Sequence, residues 1–578
     1  MSSYNSFKVQ AGAKGAHSSA VGIPGLSLIK RIVFAAATLT GLSVALTSGR
    51  IQAGTAIGRG IATYIVMGNE NNIIQTYKDN TGGGTGAGDT SATVNSRVSM
   101  VSSAPNTYVY LDEYENGYNF DPLNPAGTAD ARWDNGPAGA NKQGAALGTG
   151  QVLTLSNTNT YVPGSTGVNG GDIIYILGAP VTMVRTVWPN NPGTFASGTW
   201  PLYPTVYWQS EYASSIGEDT AGAPLPFAVC DMHVTALDNN TSVVLYDAAG
   251  TTVSQQLLQR GGCTNFPSIN QNYRVRGFNR LTGKPASLEA GLQTAAIGSD
   301  ARFFSLVPSQ FLGDQYLLPV PSFNYPAGEP QQTDPPVETA VYVTPLENGT
   351  TVTFNTGATS QTQVLNNNQV GRFVMPFVSP TFVQGAGAAT VSAAGGRKLV
   401  VLVAGHDRHD NLDWGYNGIP TSGLDIIGGN QVFVPLAPVN PLYVTPKEDN
   451  TLVKVDYNSD GSVETSFTLN RFETRLVYPL SPGFTSTGAH VFANSTIMVC
   501  WGQDMSEVTP GEPDPDYDQG YSIYPTGLFE KVLSLTKTCD PVALPSTGGQ
   551  TTVTLKLDNE GTGTNGTKLR CFATRLAV

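Results

Sequence analysis

Val234-Thr-Ala-Leu-Asp-Asn-Asn-Thr-Ser-Val243 returns as Val343-Thr-Pro-Leu-Glu-Asn-Gly-Thr-Thr-Val352 and as Val444-Thr-Pro-Lys-Glu-Asp-Asn-Thr-Leu-Val453, with a fainter copy at Met100-Val-Ser-Ser-Ala-Pro-Asn-Thr-Tyr-Val109. Aligned on Thr107, Thr241, Thr350 and Thr451, successive copies stand 134, 109 and 101 residues apart, which are domain-sized steps. Each copy alternates apolar and polar residues, breaks at an acidic, Asn or Gly cluster, and alternates again, as in Leu452-Val-Lys-Val-Asp456. That pattern reads as strand, turn, strand and predicts a hairpin in every copy.

Two further elements recur in step with the first. A polar strand containing Leu follows each turn, at Leu257-Leu-Gln-Arg-Gly261, Val364-Leu-Asn-Asn-Asn368 and Phe467-Thr-Leu-Asn-Arg471, and apolar strands come later, at Lys398-Leu-Val-Val-Leu-Val403 and Thr496-Ile-Met-Val-Cys-Trp501. A closing element then appears: Gly298-Ser-Asp300 with Ser305-Leu-Val-Pro308, Gly405-His-Asp407 with Gly418-Ile-Pro420, and Gly502-Gln-Asp504 with Ser522-Ile-Tyr-Pro525. Between the last two pairs sit Asp413-Trp-Gly-Tyr416 and Asp518-Gln-Gly-Tyr521. Units of this size, with short strands and frequent turn signals, have the profile of immunoglobulin-like sandwiches.

Composition agrees. Only 13% of the 578 residues are charged, while 65 Gly and 38 Pro accompany abundant Thr, Ser, Asn and Val, the vocabulary of short strands and tight turns. The expected fold is therefore all-β: tandem Ig-like β-sandwich domains in an elongated multidomain chain. The expected segments are a leader over 1–53, an N-terminal β domain over 54–225, sandwich repeats over 226–335, 336–438 and 439–533, and an incomplete Ig-like C-terminal module over 534–578. A net charge of -12 and the lack of any Lys/Arg cluster interleaved with aromatics argue against nucleic acid as a partner.

Lys30-Arg31 precede an uncharged run from Ile32 to Thr47, sixteen residues that suit a signal-peptide core better than a membrane span. Small residues at Ala45 and Ala53 offer cleavage points; an uncleaved anchor is the other reading. Export to an extracellular or cell-surface location follows, with no membrane span after cleavage. In an exported protein Cys230 and Cys263 could form one disulfide, and two of Cys500, Cys539 and Cys571 another. Asn239, Asn240, Asn348, Asn494 and Asn565 are N-glycosylation acceptors by sequence.

The chain resembles a known family, extracellular proteins carrying the region found at the N-terminus of the IgGFc-binding protein, shared by many bacterial and some eukaryotic surface proteins. The resemblance rests on Asn106-Thr-Tyr-Val-Tyr110 with Glu115-Asn-Gly-Tyr118, on Ala179-Pro-Val-Thr182, on Val444-Thr-Pro446 with Asp456, and on Asp518-Gln-Gly-Tyr521, and spans about Tyr64 to Leu535. The tail from Ser534 looks like the opening of an Ig-like repeat common in bacterial surface proteins. The resemblance implies a surface location and supplies no ligand.

Chemistry-bearing clusters are few. Asp504, Asp514, Asp516 and Asp518, with Glu507 and Glu512, crowd one Pro/Gly-rich loop, and Asp407 and Asp413 occupy the corresponding loop of the preceding unit, beside His406 and His409. Hard oxygen ligands suit Ca²⁺, the one cofactor these loops suggest, although capping of turns explains the same residues. There is no Gly-x-Ser-x-Gly elbow, no Cys/His spacing of zinc type and no phosphate-binding loop, so no catalytic residue is assigned and an enzyme is not expected. The leading expectation is a non-enzymatic exported structural subunit that self-associates into an extracellular filament, sheath or surface layer, with strand addition through the C-terminal module as the means. The other is a cell-surface adhesin that binds a glycan or a protein.

Overall fold

The computed structural model describes residues 8–9, 61–79, 94–114, 117–118, 146–157, 168–189, 198–219, 227–295, 301–309, 311–324, 338–379, 381–406, 414–421, 429–481, 484–502, 519–525, 533–540, 550–559, 572–573 and 576–577. They fall into two units. Residues 61–530 form one, and residues 1–60 with 531–578 form the other.

The larger unit contains four β-sandwiches in chain order. The first holds β1 (Ile61–Ile65), α1 (Glu70–Asp79), β2 (Val94–Ser102), β3 (Tyr108–Asp112), β4 (Val152–Asn157), β5 (Ile173–Leu177), β6 (Val181–Pro189) and β7 (Gly198–Pro201). The second holds β8 (Glu211–Ala213), β9 (Val229–Ala236), β10 (Thr241–Tyr246), β11 (Thr252–Leu258), β12 (Cys263–Phe266), β13 (Arg274–Asn279), β14 (Leu288–Ala295) and β15 (Ala301–Ser305). The third holds β16 (Gln315–Leu318), β17 (Glu338–Pro345), β18 (Thr350–Asn355), β19 (Ser360–Leu365), β20 (Gly371–Val374), β21 (Gln384–Ala386), β22 (Ala389–Ala393), β23 (Leu399–His406) and β24 (Gly415–Asn417). The fourth holds β25 (Gln431–Phe433), β26 (Leu442–Pro446), β27 (Thr451–Asp456), β28 (Thr465–Leu469), β29 (Glu473–Val477), β30 (His490–Ala493), β31 (Ile497–Gly502) and β32 (Gly520–Ile523).

One strand order serves all four sandwiches. The outer sheets run β1-β5-β3, β11-β10-β13-β8, β19-β18-β22-β16 and β28-β27-β30-β25, and the inner sheets β4-β2-β6-β7, β12-β9-β14-β15, β20-β17-β23-β24 and β29-β26-β31-β32, with β21 of the third repeat added beside β29. This is not the immunoglobulin order, in which the first two strands share a sheet. Each sandwich also starts upstream of the expected boundary. β8 pairs with β13, β16 with β22 and β25 with β30, so residues before 226, 336 and 439 already belong to the second, third and fourth sandwiches.

The recurring Val-Thr turn is not a hairpin. In every copy its two flanking strands enter opposite sheets, so it arches across the core; the hairpins are β10–β11, β18–β19 and β27–β28. Alternation cannot distinguish the two cases, because an arch and a hairpin put the same residues into the core. The local chemistry of the arch repeats closely. A left-handed residue precedes the threonine each time: Asn106 (φ 63°), Asn240 (φ 57°), Gly349 (φ 63°) and Asn450 (φ 56°), which are residue types that tolerate this conformation. The threonine hydroxyl then donates to the carbonyl three residues back, from Thr107 to Ala104 at 3.1 Å and from Thr241 to Asp238, Thr350 to Glu347 and Thr451 to Glu448 at 2.7 Å.

The second recurring element locks that arch. Gln259, Asn366 and Asn470, each just after the strand-ending leucine, accept from the N–H groups of Asn240, Gly349 and Asn450 at 3.3, 3.0 and 3.1 Å. In return Asn239, Asn348 and Asp449 accept from the N–H groups of Arg260, Asn367 and Arg471 at 3.1, 3.0 and 3.0 Å.

Within the larger unit the sandwiches follow one another in tandem, as expected, and the repeats close on one another. β7 lies against β15 and β32, and β24 lies against the same two strands, so the last strands of the four sandwiches touch in a closed cycle. The reason is visible in burial. Outer strands such as β18 alternate, whereas inner strands such as β9 and β26 are buried at every position. An inner sheet has its own outer sheet on one face and neighbouring repeats on the other, which is why Leu399-Val-Val-Leu-Val403 is continuously apolar.

Aromatic rings on glycines seat three of the four junctions. Phe303 of the second repeat stacks on Trp200 of the first at 4.7 Å and covers Gly198, where an added Cβ would lie 1.5 Å from the ring. Phe304 covers Gly415 of the third repeat, and Trp414 of the third covers Gly502 and Gly520 of the fourth. The first and fourth repeats meet through hydrogen bonds: Thr199 Oγ1 to Gln519 Oε1 at 3.0 Å, and one shared by the Tyr203 and Tyr524 hydroxyls. Asn417 Nδ2 donates to that Tyr524 hydroxyl at 2.6 Å, and Ser522 Oγ donates to the Asn417 carbonyl at 2.5 Å, tying in the third repeat.

In the smaller unit, strand Gln550–Asn559 pairs antiparallel with Leu533–Asp540 and with Leu576–Ala577, forming a three-stranded sheet. The two-residue strand Lys8–Val9 pairs in parallel with Phe572–Ala573. No helix among the described residues is long and apolar enough to cross a membrane.

Candidate functional site

All six expected calcium ligands, Asp407, Asp413, Asp504, Asp514, Asp516 and Asp518, lie outside the described residues, as do His409 and the signal-peptide-like run from Ile32 to Thr47. Their described neighbours have packing roles. Trp414 and Gln519, directly after Asp413 and Asp518, are buried at repeat junctions, and Tyr521 donates its hydroxyl to the Leu436 carbonyl at 2.6 Å. The Gly of the Asp-x-Gly-Tyr element therefore serves the junctions between repeats, while Tyr521 packs within the fourth repeat.

The proposed Cys230–Cys263 disulfide is corrected. Both cysteines are free thiols, as is Cys500. Cys263 sits opposite Thr235 in the β9–β12 pair, five residues along β9 from Cys230, and an odd offset puts the two side chains on opposite faces of the sheet. Five residues of strand is about 16 Å, far beyond the Cα separation a disulfide spans. Burial pushes the Cys263 thiol up to about 11 and raises those of Cys230 and Cys500 as well. Cys539 and Cys571 have no described side chains. Asn239, Asn240, Asn348 and Asn494 lie in or beside exposed turns, and Asn565 is outside the described residues.

His233 and His490 are held by packing and hydrogen bonds within the sandwiches. His233 is buried in β9, its Nε2 3.0 Å from Gln293 Oε1, and burial brings its pKa down to about 4. His490 stacks between Phe433 and Phe492 at 4.1 and 4.7 Å and meets Gln431 Oε1 at 3.2 Å. Tyr110, Trp200, Tyr203 and Trp208 are buried. Two buried acids join repeats or anchor the helix. Glu70, at the start of α1, forms an ion pair with Arg185 in which neither side chain is exposed, and Glu289 accepts from the Tyr203 N–H at 3.2 Å while burial raises its pKa well above the usual range.

Among the described residues, carboxylates able to share a cation converge in one place, the turn after β27. Asp456, Asp460 and Glu464 bring oxygens within 4.8 Å of one another. The buried Asp456 carboxylate accepts from the N–H groups of Asp460 and Gly461 at 3.2 and 2.8 Å, Asp460 Oδ1 accepts from the Ser462 N–H at 2.7 Å, and Glu464 Oε2 accepts from the Tyr457 N–H at 2.9 Å. The hydrogen bonds from Ser462, then that from Asn458, hold Asp460 below its ordinary pKa. The sequence reading passed over this turn, yet its signal is legible: Asp456-Tyr-Asn-Ser-Asp-Gly461 matches the first half of an EF-hand loop, while Phe467 stands where that loop requires glutamate. The carboxylates have the chemistry of a hard-cation ligand set, and the turn's own N–H groups already engage them.

No family model matches the chain, and no curated protein matches it. Among solved structures, the chain is similar to one titled "Biofilm associated protein - BSP domain", at 9% sequence identity over 83% of this chain and 99% of that one, with a TM-score of 0.13. The resemblance to the IgGFc-binding region accordingly rests on the quoted motifs alone.

Proposed function

We propose that the chain is a non-enzymatic, exported structural subunit that associates with copies of itself into an extracellular filament, sheath or surface layer. The observation that carries this reading is the character of the outer-sheet edges. β11 (Thr-Val-Ser-Gln-Gln-Leu-Leu), β19 (Ser-Gln-Thr-Gln-Val-Leu) and β28 (Thr-Ser-Phe-Thr-Leu) each end a sheet, and none contains a charged residue or a proline. Monomeric proteins commonly blunt such edges with charge, proline or a bulge; here only the β10–β11 pair carries a register shift. Among the described residues the outer sides of Leu533–Asp540 and Leu576–Ala577 are unpaired as well, which supports strand addition through the C-terminal module.

Negative-stain microscopy of the purified chain, with and without Ca²⁺, tests the reading. Filaments or sheets are expected, and deletion of residues 533–578 should leave folded monomers. Unchanged assemblies after deletion would remove the C-terminal module from the mechanism. A chain that stays monomeric at high concentration and binds a saturable ligand would instead be the adhesin.

A further inference from the structure

A cleft of about 380 Å³ opens between the third and fourth repeats, within the range of small-ligand sites, roughly 300–1,000 Å³. Its floor is the outward face of the sheet β19-β18-β22-β16. Ser392 of β22 stands between Gln315 and Thr353, and Thr390 stands between Leu317 and Asn355. The opposite wall is the arch of the fourth repeat with its locking turn, which contributes Lys447, Glu448 and Arg471.

The first and second repeats show what the same place looks like when filled. Register equates Ser392 with Tyr175, Thr353 with Tyr110, Thr390 with Ile173 and Asn355 with Asp112. There Tyr110 and Tyr175 are buried, Tyr118 donates its hydroxyl to the Gly171 carbonyl at 2.5 Å, and Arg260 lies over the Tyr118 ring at 5.0 Å. Arg260 and Arg471 are equivalent, since both donate their backbone N–H to the arch residue at the same position. At the third repeat the two tyrosines have become threonine and serine, and the arginine remains.

We propose that this cleft binds an acidic glycan, with the carboxylate of a uronic-acid unit held by Arg471 and Lys447 and its ring hydroxyls by the side chains of the floor. Hydroxyl and amide groups predominate there, which suits a polyhydroxylated ligand, and only Leu317 and Val391 offer aliphatic contact, too little to anchor a peptide side chain. Among the described lining residues the charged ones are Lys447, Glu448 and Arg471, and a mouth with both cations and a carboxylate suits a singly charged sugar acid. Glu448 can accept from sugar hydroxyls. The site is independent of assembly, since a layer subunit and an adhesin could each carry it.

Calorimetric titration of the full chain with trigalacturonate at low ionic strength tests this. Saturable binding is expected, with a neutral galactose trimer at least about tenfold weaker, as loss of charge-assisted hydrogen bonds implies. Arg471→Gln should weaken binding by about tenfold or more without moving the melting temperature, because the side chain is exposed and its backbone bond to Asp449 is kept. Thr353→Tyr with Ser392→Tyr, which restores the aromatic plug of the first repeat, should abolish it. No saturable binding up to about 10 mM, equal binding of the neutral trimer, or binding unaffected by Arg471→Gln would each overturn the assignment. If the double-tyrosine variant fails to fold, Arg471→Gln and the neutral trimer decide the matter.

Discussion

Gly520→Ala is the sharpest probe of how the repeats are joined. Gly520 lies in β32 opposite Gly502, and the buried Trp414 ring covers both. No left-handed φ is involved, so the backbone accepts alanine, and within a strand the change alone would stabilise by about 0.5–1 kcal/mol. The new Cβ, however, would stand 1.8 Å from Trp414 Cε3. Trp414 has nowhere to move, with the rings of Tyr416 and Tyr443 each 5.9 Å away. Overpacking of this kind costs about 1–3 kcal/mol, so the variant should be destabilised despite the backbone gain. Trp414→Ala, which empties the slot, should cost about 3–5 kcal/mol. In the double variant the alanine methyl occupies part of the vacated space, so the summed losses should exceed the observed one by about 1–3 kcal/mol. Equilibrium urea unfolding of the full chain, followed by far-ultraviolet circular dichroism, measures all three. A neutral or stabilising Gly520→Ala, or additivity within about 0.5 kcal/mol, would refute a junction built on ring-over-glycine contact.

Two further perturbations test other layers of the fold. His233 has a folded pKa of about 4 against an ordinary 6.5, lowered chiefly by burial and also by Arg185, while its bond to Gln293 acts the other way. A depressed folded pKa gives stability that is present above 6.5 and lost as pH falls towards 4, worth about 3 kcal/mol in all; between pH 7.5 and 4 the wild type should therefore lose about that much more than His233→Gln, and parallel pH profiles would exclude the effect. At the arch of the fourth repeat, Asn450→Gly should change unfolding stability by only a few tenths of a kcal/mol, whereas Asn450→Ala should cost about 1–2 kcal/mol through its left-handed φ; equal losses in urea unfolding would detach the arch from that conformation.

The parts legible in the sequence are those with a local physical requirement. Asn106, Asn240, Gly349 and Asn450 stand where φ must be positive, and the threonine that follows each one closes the same hydrogen bond, so the four copies align by eye. The path of the chain after each arch was not legible, because Leu452-Val-Lys-Val-Asp456 alternates identically whether it pairs with the strand before it or crosses to the facing sheet. Ring closure was encoded only indirectly. The unbroken apolar run at Leu399–Val403 signals burial on both faces without saying what covers the second one, and the glycines of Asp-x-Gly-Tyr make sense only once Trp414 is seen against them. The free thiols needed register, since Cys230 and Cys263 lie on neighbouring strands and only the five-residue offset keeps them apart. The Asp456–Glu464 turn is legible as the first half of an EF-hand loop, but the convergence of its carboxylates depends on the fold.

The seam between the first and fourth repeats shows why closure is specific. Chain connectivity holds each of the other three junctions at high effective concentration, so a ring on a glycine suffices to seat them. The first and fourth repeats are joined across the whole length of the unit, and an apolar contact alone would admit neighbouring registers or the corresponding repeat of another chain. That junction instead carries Thr199 to Gln519, Tyr203 with Tyr524, and Ser99 Oγ to the Pro435 carbonyl at 2.7 Å, beside Val184, which packs into the core of the fourth repeat. A buried hydrogen bond missed by one position leaves two polar groups unpaired, at about 1–3 kcal/mol each. Several such bonds in one seam penalise every register but one, so the polar residues sit at the junction where the chain itself provides least guidance.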